Sequence, residues 1–450
     1  MKGDRMPRHQ DVGGDSSNRG YRFIEASQFI EFCVELNSQD DRLASSASPT
    51  HDPKSPKYQP QIDPRLWNPK PIYDSRRAVA KDVVDFKAGV QCEETRPWTK
   101  LYRDILSRAA KQPPADWTED GIANDPRYNG FGPYQNAWLL YEGVNDNRGA
   151  YAIAIRGTVF SSKPSVVEDV LFHPVDARMF LSPRVTFAKT AGATLHSGLT
   201  HATFSLLLDD RYGVLRVLHD SQVDAGSHLY VVGHSQGAAM ATMTHAFFHY
   251  AMNDGASSGD VFGLANKNYR LKSYVFGQPK LGNYVFASDF SRLTQSLDNA
   301  IVINNDIDPV PQVPLTLQDI SDLDGDLSGV SLLAKTLHFI GGIGSAFRGV
   351  IGRIAEPIVR KDDAGFGYYY NYSQLGDIGA KYEKIGSSWN FVPAGHVLLV
   401  YGTPVKQNDD FLQHHTWMYR DLIRAQLHSD DVGAAGRRKT PEQDREPVEA

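Results

Sequence analysis

The stretch Leu229–Thr242, LYVVGHSQGAAMAT, sets a serine between two glycines, after an apolar run and before an alanine-rich one. Gly233–His234–Ser235–Gln236–Gly237 fits G-x-S-x-G. A nucleophile at a sharp strand-to-helix turn needs small neighbours, because its backbone is strained and the helix must pass close to the strand. Ala238, Ala239 and Ala241 carry that smallness into the helix. Such a turn lifts the Ser235 oxygen clear of the sheet, and the helix N-terminus aims N–H groups at developing negative charge. A glycine-flanked serine in a plain loop is the bland alternative. It leaves unexplained why strand, turn and helix signals coincide here.

Working outward, NAWLLYEG (136–143) and AYAIAIRGT (150–158) read as two strands of a hairpin. Further strand-like runs are HLYVVGH (228–234), LKSYVFG (271–277), NAIVINN (299–305) and HVLLVYG (396–402). Helix-like stretches fall between them: HSGLTHATFSLLLDDRYGVLRVLH, GAAMATMTHAFFHYAM and GNYVFASDFSRL. Strands alternating with helices predict an α/β sheet covered on both faces and opened by an antiparallel hairpin.

A serine hydroxyl needs an adjacent base that a third group orients. In folds with this elbow the acid, then the histidine, follow the serine along the chain. NAIVINNDIDPVPQVP supplies Asp306 and Asp308 just past a strand, and Pro309 disfavours helix at Asp308. DDFLQHHTWMYRDL then offers His414 and His415 near a helix start. His396 is a rival, but it opens an apolar strand and reads as a packed residue.

The rest of the chain bounds the answer. At 450 residues, with 41% hydrophobic and 22% charged, it has the balance of a globular protein with a sizeable core. A net charge of −6 and no basic run argue against nucleic acid as a partner. Cys33 and Cys92 are too few for a disulfide framework and lack zinc-ligand spacing. The expected organisation is an N-terminal extension over 1–75, partly disordered with one docked helix around YRFIEASQFIEFCVEL. An α/β domain follows over 76–430, holding an insertion at about 316–390, and then a disordered tail over 431–450. The N-terminus lacks the apolar core of a secretory signal, so the expected place is cytoplasmic, or secreted by a signal-peptide-independent route.

These residues, in order, resemble the class 3 (fungal-type) triacylglycerol lipases of the α/β-hydrolase fold; the expectation is a bacterial-type member. AYAIAIRGT resembles the family's strand ending in R-G-T, and ATLHSGLTHAT its His-x-Gly-Phe segment, with Leu199 where Phe is usual. VVGHSQGAAMA resembles the elbow, YVFGQPKLGNYVFA the Phe-Gly-x-Pro strand, and INNDIDPVPQVP the Asp-x-Val-Pro loop. QHHTWMYRDL resembles the histidine followed five residues later by tyrosine. The resemblance implies an α/β-hydrolase fold with Ser235 as nucleophile, His414 as base and Asp308 as its orienter. It places Thr158 and the Gln236 N–H in the oxyanion hole. It implies a serine carboxylester hydrolase acting on lipid esters, with no cofactor and no metal.

Two stretches bear on substrate. In the family a lid follows the R-G-T strand, and 159–183 carries apolar residues among charges. The apolar, glycine-rich 330–359 lies inside the insertion. Either can contact a membrane or lipid interface peripherally, or pack as an ordinary helix. His245 and His249 have i,i+4 spacing without the Glu of H-E-x-x-H, and Asp322–Asp326 resembles half a calcium loop; packed histidines and a polar turn are the better readings. Within the enzyme class the alternative is a phospholipase A-type effector. From another class it is a non-catalytic lipid-binding protein on a retained hydrolase fold.

Overall fold

The computed structural model describes residues 19–44, 54–89, 105, 109–111, 113–132, 134–158, 174–178, 185–221, 223–258, 260, 262–294, 299–312, 391–403 and 412–436. The strands are β1 (Tyr73–Asp74), β2 (Trp138–Glu142), β3 (Ala150–Ile155), β4 (Pro174–Asp176), β5 (Thr194–His196), β6 (His228–His234), β7 (Arg270–Phe276), β8 (Gly282–Asn283), β9 (Ala300–Asn305), β10 (Phe391–Val392) and β11 (His396–Val400). The helices are α1 (Arg19–Ala44), α2 (Ser75–Lys87), α3 (Glu119–Ala123), α4 (Ser197–Leu208), α5 (Val214–Asp220), α6 (Gln236–Ser258), α7 (Tyr284–Leu293) and α8 (Thr416–Gly436).

Seven strands form the main sheet in the order β1-β2-β3-β6-β7-β9-β11. β1, β2 and β3 pair antiparallel, and every pair from β3 to β11 is parallel. This is the α/β-hydrolase fold. The strand carrying the serine turn, β6, sits in the middle. Its residues divide by alternation, as the period of two along a strand requires. Leu229 and Val231 join the core on one face, with Ala239, Met243 and Phe247 of α6. Tyr230 and Val232 join the core on the other.

That second face is covered by the two outermost helices described, α1 and α8. Phe23, Phe29, Phe32 and Leu36 recur at helical spacing, so one stripe of α1 is apolar and buried. Phe29 lies 4.6 Å from the Tyr230 ring and 4.9 Å from Tyr274, and Phe32 stacks on Tyr141 at 4.1 Å, centroid to centroid. Two buried carboxylates fix α1 in place. Glu25 accepts from Lys272 and from the Tyr274 hydroxyl. Glu31 accepts from Arg424 of α8 and from the Gln61 N–H, each at 2.8 Å, and burial raises its pKa.

Several elements differ from expectation. α1 runs to Ala44 rather than stopping near Leu36, and α8 continues to Gly436, past the expected tail boundary at 431. The single helical stretch expected over His196–His219 breaks into α4 and α5. The Asp209 carboxylate accepts from the N–H groups of Arg211 and Tyr212 at 3.0 and 2.7 Å, making a local turn that competes with helix. Four short strands form a second sheet, β10-β8-β5-β4, that the sequence did not announce. Of the expected lid 159–183, only 174–178 is described, and it contributes β4 to that sheet. The stretches 330–359 and 322–326, and Cys92, lie outside the described residues. Among the described helices, none is long and apolar enough to cross a membrane.

Candidate active site

In open parallel sheets, ligands gather beyond the carboxyl ends of the strands. Ser235 follows β6 there, at φ 59°, a left-handed backbone that side-chain-bearing residues avoid at a cost of about 1–2 kcal/mol. Its N–H donates to the Phe276 carbonyl and its carbonyl accepts from Ala238 N–H, both at 2.9 Å, so the turn is held from both sides. The glycines are required sterically. A Cβ on Gly233 would meet the Gly237 carbonyl oxygen at 2.1 Å, and one on Gly237 would meet the Ile155 carbonyl oxygen at 2.4 Å. At these two glycines helix, elbow and β3 meet backbone to backbone.

Asp308 follows β9 in a proline-rich loop. Its buried carboxylate accepts from His414 Nδ1 at 2.7 Å, the Tyr419 hydroxyl at 2.6 Å and the Val310 N–H at 2.9 Å. Tyr419 in turn accepts from the Asn305 N–H at 3.0 Å. Burial first, then the Asp308 charge, holds the Tyr419 hydroxyl well above its ordinary pKa, so it remains a donor. Asp306 points elsewhere and accepts from Gly402 N–H at 2.8 Å. The ring of His415 stacks near Trp417, 5.9 Å between centroids, so His414 is the histidine that meets the acid. His396 lies at the opposite end of the sheet, paired in register with Ile301 at the start of β9, where its Nε2 meets Arg22 at 3.0 Å.

His414 is confined on two sides. A Cβ on Gly277 would lie 3.0 Å from its ring, and the His234 ring is 4.5 Å away between centroids. Its Nε2 is buried and has no hydrogen-bond partner among the described residues. Ser235 Oγ is therefore not hydrogen-bonded to it; the His414 ring is brought to the elbow by its packing on His234, the residue before Ser235. Thr158 ends the segment after β3 and is buried. Gly157 before it faces Ser235 closely, since a Cβ there would sit 3.0 Å from the serine Cβ. Arg156 donates to the Asn129 side chain and to the Gln135 carbonyl, tying the 129–136 loop to this strand end. Gln236 opens α6, so its N–H is among those that helix geometry leaves without an intrahelical acceptor.

A strained serine, an imidazole with one nitrogen open and a carboxylate on its other nitrogen are the parts needed for nucleophilic acyl transfer. Tyr419 was visible in the sequence only as part of a histidine–tyrosine spacing; its work on Asp308 was not. Nor was the contact of Asn37, from α1, with His234 at 3.3 Å. His196 caps α4 by accepting the Leu199 N–H at 3.3 Å, and Leu199 is buried where the family usually has Phe. His245 is occupied with the Ser273 hydroxyl at 3.0 Å, and burial pushes its pKa down to about 3.

Residues 152–318 match the family model for lipase (class 3). This region belongs to the class 3 lipase family. Two secreted mono- and diacylglycerol lipases of Malassezia globosa, MDL4 and MDL2, are 30% and 29% identical to the chain over 165 and 167 residues. Each match covers 36% of this chain and 46% of the relative, so the chain spans about half the length of the curated relatives it matches. Among solved structures, a triacylglycerol lipase with a serine protease triad is 23% identical at TM-score 0.27, over 40% of this chain and 57% of that one. The Rhizomucor miehei lipase–propeptide complex is 18% identical at TM-score 0.29, over 55% and 66%. At such scores the fold rests on the sheet topology itself. The relatives are secreted lipases, which overturns the expectation of a cytoplasmic protein or of a signal-independent route.

Proposed function

We propose that this chain, through its region matching the class 3 lipase family, is a serine carboxylester hydrolase cleaving acyl esters of glycerolipids through an acyl-enzyme. Ser235 Oγ attacks the ester carbonyl and passes its proton to His414 Nε2. Asp308 keeps the other ring nitrogen protonated and stabilises the imidazolium that forms. Thr158 and the Gln236 N–H receive the oxyanion. The imidazolium then protonates the leaving alcohol, and a water deprotonated by His414 releases the acid. No step calls on a metal or cofactor.

The observation that carries this reading is the His414–Asp308 bond of 2.7 Å on a ring that packs against His234, the residue before a serine at φ 59°, with Nε2 making no other hydrogen bond. Removing a serine nucleophile from such a unit typically lowers kcat by about 10⁶. Ser235→Ala is therefore expected to abolish hydrolysis of p-nitrophenyl butyrate and labelling by a fluorophosphonate, with the melting temperature unchanged. Hydrolysis at the wild-type rate by that variant would remove the proposal. Because the relatives are mono- and diacylglycerol lipases, mono- and diacylglycerols are the first substrates to assay.

A further inference from the structure

We infer that Asn37, on the N-terminal helix and outside the family-matched region, is a positioning residue for the hydrolytic site. The inference rests on the reading of Ser235 and His414 just proposed. The Asn37 side chain is buried and reaches the back of the serine turn, its Nδ2 lying 3.3 Å from Nδ1 of His234. A Cβ on Gly157 would come within 3.0 Å of that same Nδ2, so the amide also stands against the strand end leading to Thr158.

The consequence runs through His234. Its ring packs 4.5 Å from His414 and 5.6 Å, edge to face, from Tyr419, so with Gly277 it walls in the His414 ring. With the Asn37 amide N–H as donor, Nδ1 is the acceptor and the ring is the neutral tautomer protonated at Nε2. A neutral ring tolerates the imidazolium that forms on His414 during attack, whereas a cationic ring at this distance opposes it. Asn37 thus keeps His234 uncharged and fixes its plane. α1 is held in this position because Glu25 staples it to β7 and Glu31 to α8. A small error in His414 placement is costly, since about 1 Å of displacement at a reacting group removes on the order of 10²-fold in rate.

Two near-isosteric variants test this. Asn37→Leu removes the donor, and Asn37→Asp replaces it with an acceptor that favours protonation of Nδ1. On p-nitrophenyl butyrate both are expected to lower kcat about tenfold with KM unchanged, the rate equivalent of one lost hydrogen bond. Nitrogen-15 spectra of histidine-labelled protein are expected to show His234 Nδ1 unprotonated in the wild type and protonated in Asn37→Asp. A purely structural role would lower the melting temperature without this tautomer change. The inference is overturned by wild-type kcat in both variants, by a loss confined to KM, or by a protonated Nδ1 in the wild type. The spectrum of the wild type decides even if Asn37→Asp fails to fold. A wild type whose hydrolysis is unaffected by Ser235→Ala instead defeats the underlying reading.

Discussion

Gly237→Ala isolates the steric demand of the serine turn. The added Cβ would lie 2.4 Å from the Ile155 carbonyl oxygen and 2.7 Å from that of Arg156. Ordinary contact begins near 3.4 Å. Relief therefore needs α6 to withdraw from β3 by about 0.6–1 Å, because the opposing atoms are backbone and no side chain can swing aside. β3 cannot yield, being paired on both sides with β2 and β6. Overpacking of this kind costs about 1–3 kcal/mol, and a backbone-on-backbone clash belongs at the upper end. At roughly 2–4 °C per kcal/mol for a domain of this size, the melting temperature should fall by about 6–12 °C. Withdrawal also moves Gln236 and Ser235 away from Thr158, for an activity loss on the order of 10²-fold. Gly149→Ala is the control. Gly149 has φ 82° and nothing within 4 Å of a new Cβ, so it should cost about 1–2 kcal/mol in stability and no activity. Calorimetry and ester hydrolysis measure both quantities. Wild-type melting and kcat in Gly237→Ala would refute the claim that backbone contact shapes the elbow.

Tyr419→Phe deprives the buried Asn305 N–H of its acceptor and Asp308 of a donor, and is expected to cost about 1–3 kcal/mol in a urea titration; an unchanged midpoint would contradict the bonding described. His201 is buried and burial pushes its pKa down to about 4, so below its ordinary 6.5 the unfolded chain takes up a proton that the folded chain refuses. Stability from this group is complete above pH 6.5 and falls as pH drops toward 4, by on the order of 3 kcal/mol. His201→Gln should remove that share of the acid sensitivity, so the stability gap between variant and wild type should shift toward the variant between pH 6.5 and 4. A gap independent of pH would show that His201 titrates normally.

The strands and the elbow were legible because each rests on local pattern: apolar runs, a glycine-bracketed serine, prolines after a strand. Pro309 favoured Asp308 over Asp306 as the candidate acid, and the structure puts Asp308 rather than Asp306 on a histidine. What pattern could not reveal was contact between distant segments. Tyr419 holding Asp308 spans 111 residues, and Asn37 reaching His234 spans 197. The break between α4 and α5 was hidden because DDRYG continues an otherwise helical stretch, and only the bonding of Asp209 shows the turn. The small second sheet escaped because strands of two or three residues carry no measurable alternation.

The clasp of α1 against α8 has a temporal side. Glu31 and Arg424 are 393 positions apart, so a ribosome working at about 5–20 residues per second needs roughly 20–80 s to deliver the second after the first. Through that interval the aromatic stripe of Phe23, Phe29 and Phe32 waits, first for the sheet it will rest on and then for its companion helix. His414 and Tyr419 emerge in the same late portion of translation, so the nascent polypeptide holds Ser235 long before the imidazole proposed to arm it.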